Sequence, residues 1–487
     1  MRVGLSVGAS VSPSPPRAAS SAHTTRARAL SLSLGSLVRL AGETTDASSL
    51  SDQVKRYKPR VFEREPPKAD APAAGPADPD APKSAMSKLT MKTLQAQHNP
   101  ARESLSQKCI KVVVDHFARF PVHENVPARD MRAITAALPV TLDPNVAATH
   151  VFDEAYWKRC CVERFGWQSC QLAEHGLTWK QLFFELHLQQ RLEEFEPQYE
   201  DFGALLETVK ACQDYVFSLK LRQLLAHPDM EQVCTLLPNL TRLDVTYGVK
   251  KIGMKYERML FGMKISDANC LAKCIVNAEN LTTLVLSSNL IDDDLLRMLM
   301  TGLIKNAQIT HLDFSHNKIT NHGVRLLSKL LGAQSVLTSL DLADNQIHAE
   351  GGRYLGRGLR ANASLVDLNM RLNRLTDDGG RMLVEGLRSN STLQRLNLSS
   401  NSLGSETTAA LVTVVQEQTT PLMTLDLACN ELRDEDLEQL HSALSSSNNR
   451  TLFSLDLRMN AAISEDSELI DEIGRLVHRN ELEMRHQ

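Results

Sequence analysis

The chemistry open to this chain is limited by how its reactive residues are spaced. Its nine cysteines (Cys109, Cys160, Cys161, Cys170, Cys212, Cys234, Cys270, Cys274 and Cys429) are odd in number and irregular in spacing, with no Cys-x-x-Cys pair. That pattern fits free thiols in a reducing compartment rather than a disulfide framework. Cys160, Cys161, Cys170, His175 and His187 crowd one stretch. Metal-binding pairs normally stand about two to four residues apart, and this group does not. These cysteines read instead as buried core residues, since free cysteine is among the most buried types. Gly4-Leu5-Ser6-Val7-Gly8 matches the G-x-S-x-G nucleophile elbow. An elbow needs a strand before it and a helix after it, and this copy falls where no structure is expected. No phosphate-binding P-loop, His-Glu-x-x-His or Gly-x-Gly-x-x-Gly occurs. The expectation is therefore a non-enzymatic protein with no cofactor and no metal, whose work is to hold other proteins.

The strongest signal is a repeat. Leu281-x-x-Leu284-x-Leu286-x-x-Asn289-x-Ile291 returns as Ile309/Leu312/Phe314/Asn317/Ile319 and Leu337/Leu340/Leu342/Asn345/Ile347. It continues as Leu365/Leu368/Met370/Asn373/Leu375, Leu393/Leu396/Leu398/Asn401/Leu403, Leu422/Leu425/Leu427/Asn430/Leu432 and Leu452/Leu455/Leu457/Asn460. The asparagine steps are 28, 28, 28, 28, 29 and 30 residues. A near-constant period of this length marks a solenoid. Each Leu-x-Leu predicts one short strand with its leucines inward and the intervening residue on the concave side. The chain must then bend, leaving backbone groups inside the coil without partners. Asparagine both donates and accepts, so a stacked column of asparagines can satisfy them. Helices complete each repeat, with stripes such as Val324, Leu327 and Leu331 or Met382, Leu383 and Leu387. Asp292, Asp293, Asp294, Asp377, Asp378, Asp434 and Asp436 stand where helix N-termini are expected. Gly323, Gly351 and Gly379 each follow their asparagine by six residues.

The elements around the repeats set the expected organisation of the 487 residues: an α/β leucine-rich-repeat solenoid, preceded by a small all-α domain and a disordered N-terminal leader. Residues 1–100 read as leader and spacer. The first 42 carry five arginines and no acid, a composition shared with transit peptides, but Pro13, Pro15 and Pro16 argue against an amphipathic helix. Glu65 to Lys83 is a Pro/Ala spacer with too little apolar content to fold. Residues 101–235 read as a helical domain that holds all three tryptophans, with Leu205, Val209, Tyr215, Leu219 and Leu221 supplying its last helix. Residues 236–280 read as an irregular first repeat, in which Met254, Tyr256, Leu260 and Phe261 cap the open end of the solenoid. Residues 281–487 are the solenoid with a C-terminal helical cap. The net charge of −4, with 42% hydrophobic and 23% charged residues, gives no electrostatic footprint for nucleic acid or an anionic membrane. No apolar run approaches the ~20 residues of a membrane helix. Six Asn-x-Ser/Thr sequons (Asn239, Asn280, Asn362, Asn390, Asn397 and Asn449) read as by-products of the repeat composition.

The expected partner surface is the concave face. Between the strand leucines sit Val285, Asp313, Asp341, Asn369, Asn397, Asp426 and Asp456, a mostly acidic or amide row. Beside it stand Ser287, Ser315, Ala343, Arg371, Ser399, Ala428 and Arg458. The row is either a solvated consequence of a common Leu-Asp-Leu repeat or a polar groove for a partner, the usual use of a solenoid's inner surface. Arg371, Arg395 and Arg458 break the acidic run and stand out as contact candidates beside Asp313, Asp341, Asn369, Asn397, Asp426 and Asp456.

A more specific likeness lies in three segments: Tyr156-Trp-Lys-Arg-Cys-Cys161, Thr178-Trp-Lys-Gln-Leu-Phe-Phe-Glu-Leu-His187 and Tyr247-Gly-Val-Lys-Lys-Ile-Gly-Met-Lys-Tyr-Glu257. Together with ribonuclease-inhibitor-like repeats, they resemble the family of subunit five of the axonemal nexin–dynein regulatory complex, the t-complex-associated testis-expressed proteins. The likeness spans roughly Leu105 to Leu476. It implies a scaffold subunit of the link between doublet microtubules in motile cilia, regulating dynein. Its implied partners are other regulatory-complex subunits and axonemal proteins, not nucleic acid, membrane or a small-molecule substrate. It implies a location in cytoplasm, cytoskeleton and the axoneme of a cilium or flagellum. Two rivals resemble the chain less. Val126 to Trp157 faintly resembles an F-box, which implies a substrate adaptor of a ubiquitin ligase, but its spacing is longer and Arg129 and Arg132 interrupt it. A GTPase-activating protein of nuclear transport also uses such repeats, yet lacks a large helical domain and ends in an acidic tail.

Overall fold

Each Leu-x-Leu segment forms a three- or four-residue strand, and the computed structural model joins nine of them into one parallel sheet in chain order. The structure describes residues 104–121, 126–170, 172, 178–248, 261–418, 420–446, 449–460, 463 and 468–485. The expected leader and spacer, the Gly4–Gly8 motif, His175, Met254, Tyr256 and Leu260 lie outside those residues. Residues 100–487 make one compact unit.

Among the described residues six α-helices precede the sheet: α1 (Leu105–His116), α2 (Ala128–Ala137), α3 (Pro144–His150), α4 (Glu154–Phe165), α5 (Trp179–Glu193) and α6 (Phe202–Cys212). Their starts are written in the sequence. Ser104 with Gln107, and Thr178 with Gln181, form reciprocal capping boxes, while Asp143, Asp153 and Asp201 cap α3, α4 and α6. The core of this segment is aromatic: Trp157 packs 5.1 Å from Phe183 and 5.4 Å from Phe184, and its indole N–H donates to Val151 O at 3.0 Å. Arg159 donates to the carbonyls of Thr135, Ala136 and Leu138, closing the C-terminal end of α2.

The repeats follow as β1 (Ser218–Leu221), α7 (Met230–Thr235), β2 (Arg242–Val245), α8 (Ile265–Asn277), β3 (Thr283–Val285), α9 (Asp293–Leu303), β4 (His311–Asp313), α10 (Asn321–Leu327) and β5 (Ser339–Asp341). Then come α11 (Ala349–Ala361), β6 (Asp367–Asn369), α12 (Thr376–Leu387), β7 (Arg395–Asn397), α13 (Ser405–Glu417), β8 (Thr424–Asp426), α14 (Asp434–Ser446), β9 (Ser454–Asp456) and α15 (Glu468–Arg485). The register stacks Leu219, Leu243, Leu284, Leu312, Leu340, Leu368, Leu396, Leu425 and Leu455 in one column.

Two expectations need correction. Leu219 and Leu221 are strand residues, not helical ones, so the sheet begins at Ser218 rather than in the repeat after Leu281. Both leucines are fully buried, and alternation over four residues fits a strand as well as a helix turn. Phe261, one of the four expected capping residues, bridges Gly248, and the other three, Met254, Tyr256 and Leu260, lie outside the described residues. Leu455 is only partly buried because β9 has no strand beyond it, whereas Leu281, Leu312, Leu340, Leu368, Leu396 and Leu425 are buried as expected.

The asparagine column is continuous. Asn317 Nδ2 donates to Leu286 O of the preceding repeat and to Phe314 O and Ser315 O of its own, at 2.9–3.0 Å. Its Oδ1 accepts from the N–H groups of Asn289 and Ile291 at 3.0 Å. Asn345, Asn373, Asn401, Asn430 and Asn460 make the same two-way connection to the repeat before them. The residue before each asparagine (Ser288, His316, Asp344, Leu372, Ser400, Cys429 and Met459) has φ between 51° and 60°. Left-handed backbone costs a non-glycine residue roughly 1–2 kcal/mol. It persists because six of these seven N–H groups donate to a carbonyl of the next repeat, as His316 does to Ala343 O at 2.8 Å.

The glycine spacing also has a cause. A Cβ on Gly379 would stand 2.6 Å from Ala349 Cα, and one on Gly351 would stand 2.3 Å from Ile347 Cγ2. Replacing Leu368, at the centre of the leucine column, by alanine should cost about 2–5 kcal/mol, the range for truncating a core leucine. Urea unfolding should show that loss, and a change below roughly 1 kcal/mol would mean the site is not close-packed.

Candidate partner-binding surface

Asp313, Asp341, Asn369, Arg395, Asn397, Asp426 and Asp456 flank the stacked leucines within the strands, Arg371 and Arg458 stand two residues beyond β6 and β9, and the nine differ in what they already do. Asp313 Oδ1 accepts from Ser315 N–H and Asp341 Oδ1 from Ala343 N–H, both at 2.8 Å. Asn369, Asn397, Asp426 and Asp456 accept in the same way from the N–H two residues on, at 3.0–3.1 Å. One side-chain oxygen of each row member therefore turns the chain out of its strand, a local Asx-type bond. Such a turn can explain an aspartate or asparagine in every repeat without a partner.

The remaining polar atoms are partly spent within the row. Asn369 Nδ2 donates to Asp341 Oδ2 at 2.8 Å. Burial pushes the Asp341 carboxyl above the ordinary range, against the Ala343 N–H that favours its charged form. Hydrogen bonds from Arg458 hold the Asp456 carboxyl below that range. Of the three arginines, Arg395 pairs with Asp367 at 2.8 Å and Arg458 is committed to Asp456 through Nε at 2.9 Å. Arg371 is exposed and ion-pairs with no described residue. It is the member of the set with an unspent charge.

The clustered thiols carry no chemistry of this kind. Cys160, Cys161 and Cys170 are buried, and burial pushes their thiols up, away from reactive thiolate. Burial likewise lowers the His187 imidazole to about 4. Among the described residues no group of three or more His, Cys, Asp or Glu side chains is arranged to hold a metal ion. No described helix is long and apolar enough to cross a membrane.

Two features escaped the sequence. A second amide column runs along the helix ends. Asn306, Asn390, Asn449 and Asn480 donate to carbonyls of the preceding repeat, while Asn306, Asn362, Asn390 and Asn449 accept N–H groups where the chain turns toward the next strand. Three of these, Asn362, Asn390 and Asn449, are sequon residues buried to 5% exposure or less, so the folded chain offers no glycan site there. The column's regularity is masked where Gln334 interrupts it. It also ties α15 to the repeat before it: Asn480 Nδ2 donates to Asn449 O and Leu452 O, as Asn390 does to Leu359 O and Asn362 O.

The other missed feature is the true cap. In every inner repeat one backbone carbonyl accepts two consecutive N–H groups of the following strand, as Phe217 O does from Thr241 and Arg242. Among the described residues β1 has no strand before it. Glu185 of α5 supplies the missing oxygen: its Oε1 accepts from Phe217 N–H at 3.1 Å and Ser218 N–H at 2.8 Å. Two turns on, Glu193 Oε1 accepts from Arg222 N–H at 2.6 Å. Helix α5 therefore finishes the sheet edge with side chains in place of a repeat. A glutamate facing inward on an apolar helix was the only sequence signal.

Fold and ladder together define a leucine-rich-repeat protein. The family description "Leucine Rich repeat" matches residues 305–328, 333–356, 361–384, 389–407 and 419–440. The chain is 40% identical over 191 residues to "Dynein regulatory complex subunit 5" of Chlamydomonas reinhardtii, covering 39% of this chain and 48% of that one. It is 33% identical over 228 residues to the protein of that name from Mus musculus, covering 41% and 45% respectively. The chain thus spans about half the length of these relatives. The resemblance to that family holds at this level. An internalin from Listeria monocytogenes shares 15% identity over 59% of this chain and 91% of its own, with a TM-score of 0.30 too low to carry weight.

Burial raises the Glu185 carboxyl to about 7. A folded-state pKa above the unfolded value of about 4.3 means the folded protein holds the proton longer. Its contribution should therefore weaken as pH rises from about 4.3 to about 7. His187, lowered to about 4, acts oppositely, favouring the fold as pH rises toward about 6.5. The two slopes offset each other in the native protein. Glu185→Gln keeps the accepting oxygen and removes only one slope, so denaturation midpoints should then increase with pH across that window. An unchanged pH profile in that variant would contradict the assignment.

Proposed function

We propose that this chain is a non-enzymatic scaffold subunit of the axonemal nexin–dynein regulatory complex, linking doublet microtubules and regulating dynein-driven motility. The observation that carries this reading is the likeness to dynein regulatory complex subunit 5 from an alga and a mammal. The concave surface supports it. A broad groove with acidic and amide side chains, and no described metal cluster, suits protein partners held by several shallow polar contacts. On this reading the partners are other regulatory-complex subunits and axonemal proteins, and neither nucleic acid, membrane nor small molecule is needed. Asp313, Asp341, Asn369, Asn397, Asp426 and Asp456 offer their outer oxygens or amides, while Arg371 supplies the free positive charge.

The test is localisation of the tagged full chain in a ciliated cell, followed by graded salt extraction of isolated axonemes. The chain should sit along the axoneme and leave with the linker subunits. Arg371→Glu should leave at lower salt, because a like charge facing an acidic partner is repulsive. A chain diffuse in the cytosol, or one that co-purifies with a cullin adaptor, would contradict the proposal.

A further inference from the structure

The second amide column lapses between α9 and α10, and the lapse opens a groove. Asn306 Nδ2 donates to Ile275 O and Ala278 O of the preceding repeat, and Asn390 and Asn480 donate to the equivalent pairs of carbonyls. Gln334 stands at that register, 28 residues after Asn306, but its side chain is exposed and bonds to no described residue. The carbonyls it would meet, Leu303 O and Asn306 O, accept no hydrogen bond from a described residue. Helix α10 also ends after 7 residues in a 3₁₀ turn, Ser328–Leu331, where α11 runs for 13 and α12 for 12. The gap is a groove of about 330 Å³ with the buried side chains of Leu303, Ile309, Leu312 and Leu337 at its base. That volume is at the small end of binding clefts, roughly 300–1,000 Å³, and suits one anchoring side chain better than a cofactor.

The rim differs from that of a closed junction. Between α11 and α12, where Gly352 and Gly379 let the helices touch, the residue two before Asn362 is Arg360 and the residue two after Asn390 is Thr392. The matching residues here are Ile304, two before Asn306, and Val336, two after Gln334. They are 57% and 41% exposed and stand on either side of the apolar base. Lys329 is the only charged residue among those that line the groove, and Lys305 is exposed at the end of α9. Neither lysine ion-pairs with a described residue.

We infer that this groove docks an extended peptide segment of a protein partner, in which an apolar side chain is flanked by acidic residues. An apolar side chain seated on the base takes the exposed faces of Ile304 and Val336 out of water. The backbone N–H groups of an extended segment are the donors that Leu303 O and Asn306 O lack, a part that asparagine plays elsewhere in the column. A helical segment has its own N–H groups engaged and cannot make these bonds. Flanking carboxylates meet Lys329 and Lys305, and no acid lines the groove to oppose them. The groove lies at the helix ends, apart from the concave row, so the inference stands whether or not the chain works in an axoneme.

Selection of a random peptide library on the purified full chain tests it. The selection should enrich peptides with an aliphatic or aromatic residue beside aspartate or glutamate, and a synthetic copy should bind the native chain in fluorescence anisotropy. Ile304→Arg with Val336→Thr, the pair present at the closed junction, should keep the urea midpoint yet weaken binding by at least about tenfold in Kd. Lys329→Glu should weaken the same peptide, and a peptide with lysines in place of its acids should prefer Lys329→Glu to the native chain. Enrichment of no such motif would overturn the inference. So would a peptide whose affinity survives Ile304→Arg with Val336→Thr, or one whose binding is lost on Arg371→Glu instead, which belongs to the concave face.

Discussion

The side-chain amide that bonds backward to the preceding repeat is the interaction on which the rest of this structure depends. A strand of three residues followed by a sharp inward bend leaves N–H and C=O groups facing the interior, where an unmet donor or acceptor costs roughly 1–3 kcal/mol. Asparagine answers both needs with one planar group. Because its acceptors and donors lie in the repeat before it, each turn of the coil is locked to its neighbour. The ladder also fixes the left-handed residue before each asparagine, which is why seven non-glycine residues hold positive φ in register. Strand spacing, leucine stacking and the concave row follow from that lock.

A ladder of this kind must stop somewhere, and its ends reveal its chemistry. At the first strand a carboxylate stands in for a backbone carbonyl. The substitution works geometrically but buries an acid, and the raised Glu185 pKa is the electrostatic consequence. Helix α5 is thus part of the solenoid rather than of a separate helical domain. The aromatic cluster of Trp157, Phe183 and Phe184 behind it anchors the cap to α4. The segments around Tyr156 and Thr178 on which the sequence resemblance was drawn hold buried core residues such as Trp157 and Phe184.

Much of this was legible in the sequence, because long-range order here repeats at short range. The period gave the strands from β3 to β9, the ladder asparagines and the first-turn acids of α9, α12 and α14. It failed where the period lapses. Leu219 and Leu221 looked helical because no asparagine at the right distance marked β1 as a repeat. The second amide column was hidden by Gln334, which breaks its period. The concave residues could be located but not ranked from sequence. Only the pairing of Arg395 with Asp367 and of Arg458 with Asp456 separates them from Arg371.

The central claim is that the helical segment completes the sheet, so that cap and repeats form one cooperative body on which partners are held. The three tryptophans, Trp157, Trp167 and Trp179, all lie in the helical segment, whereas far-UV circular dichroism is dominated by the repeats. Urea unfolding of the full chain followed by both signals tests the claim most directly. The account predicts superimposable transitions with one midpoint. A fluorescence transition that separates from the circular dichroism transition would show that the helical segment folds apart from the solenoid, and would contradict it.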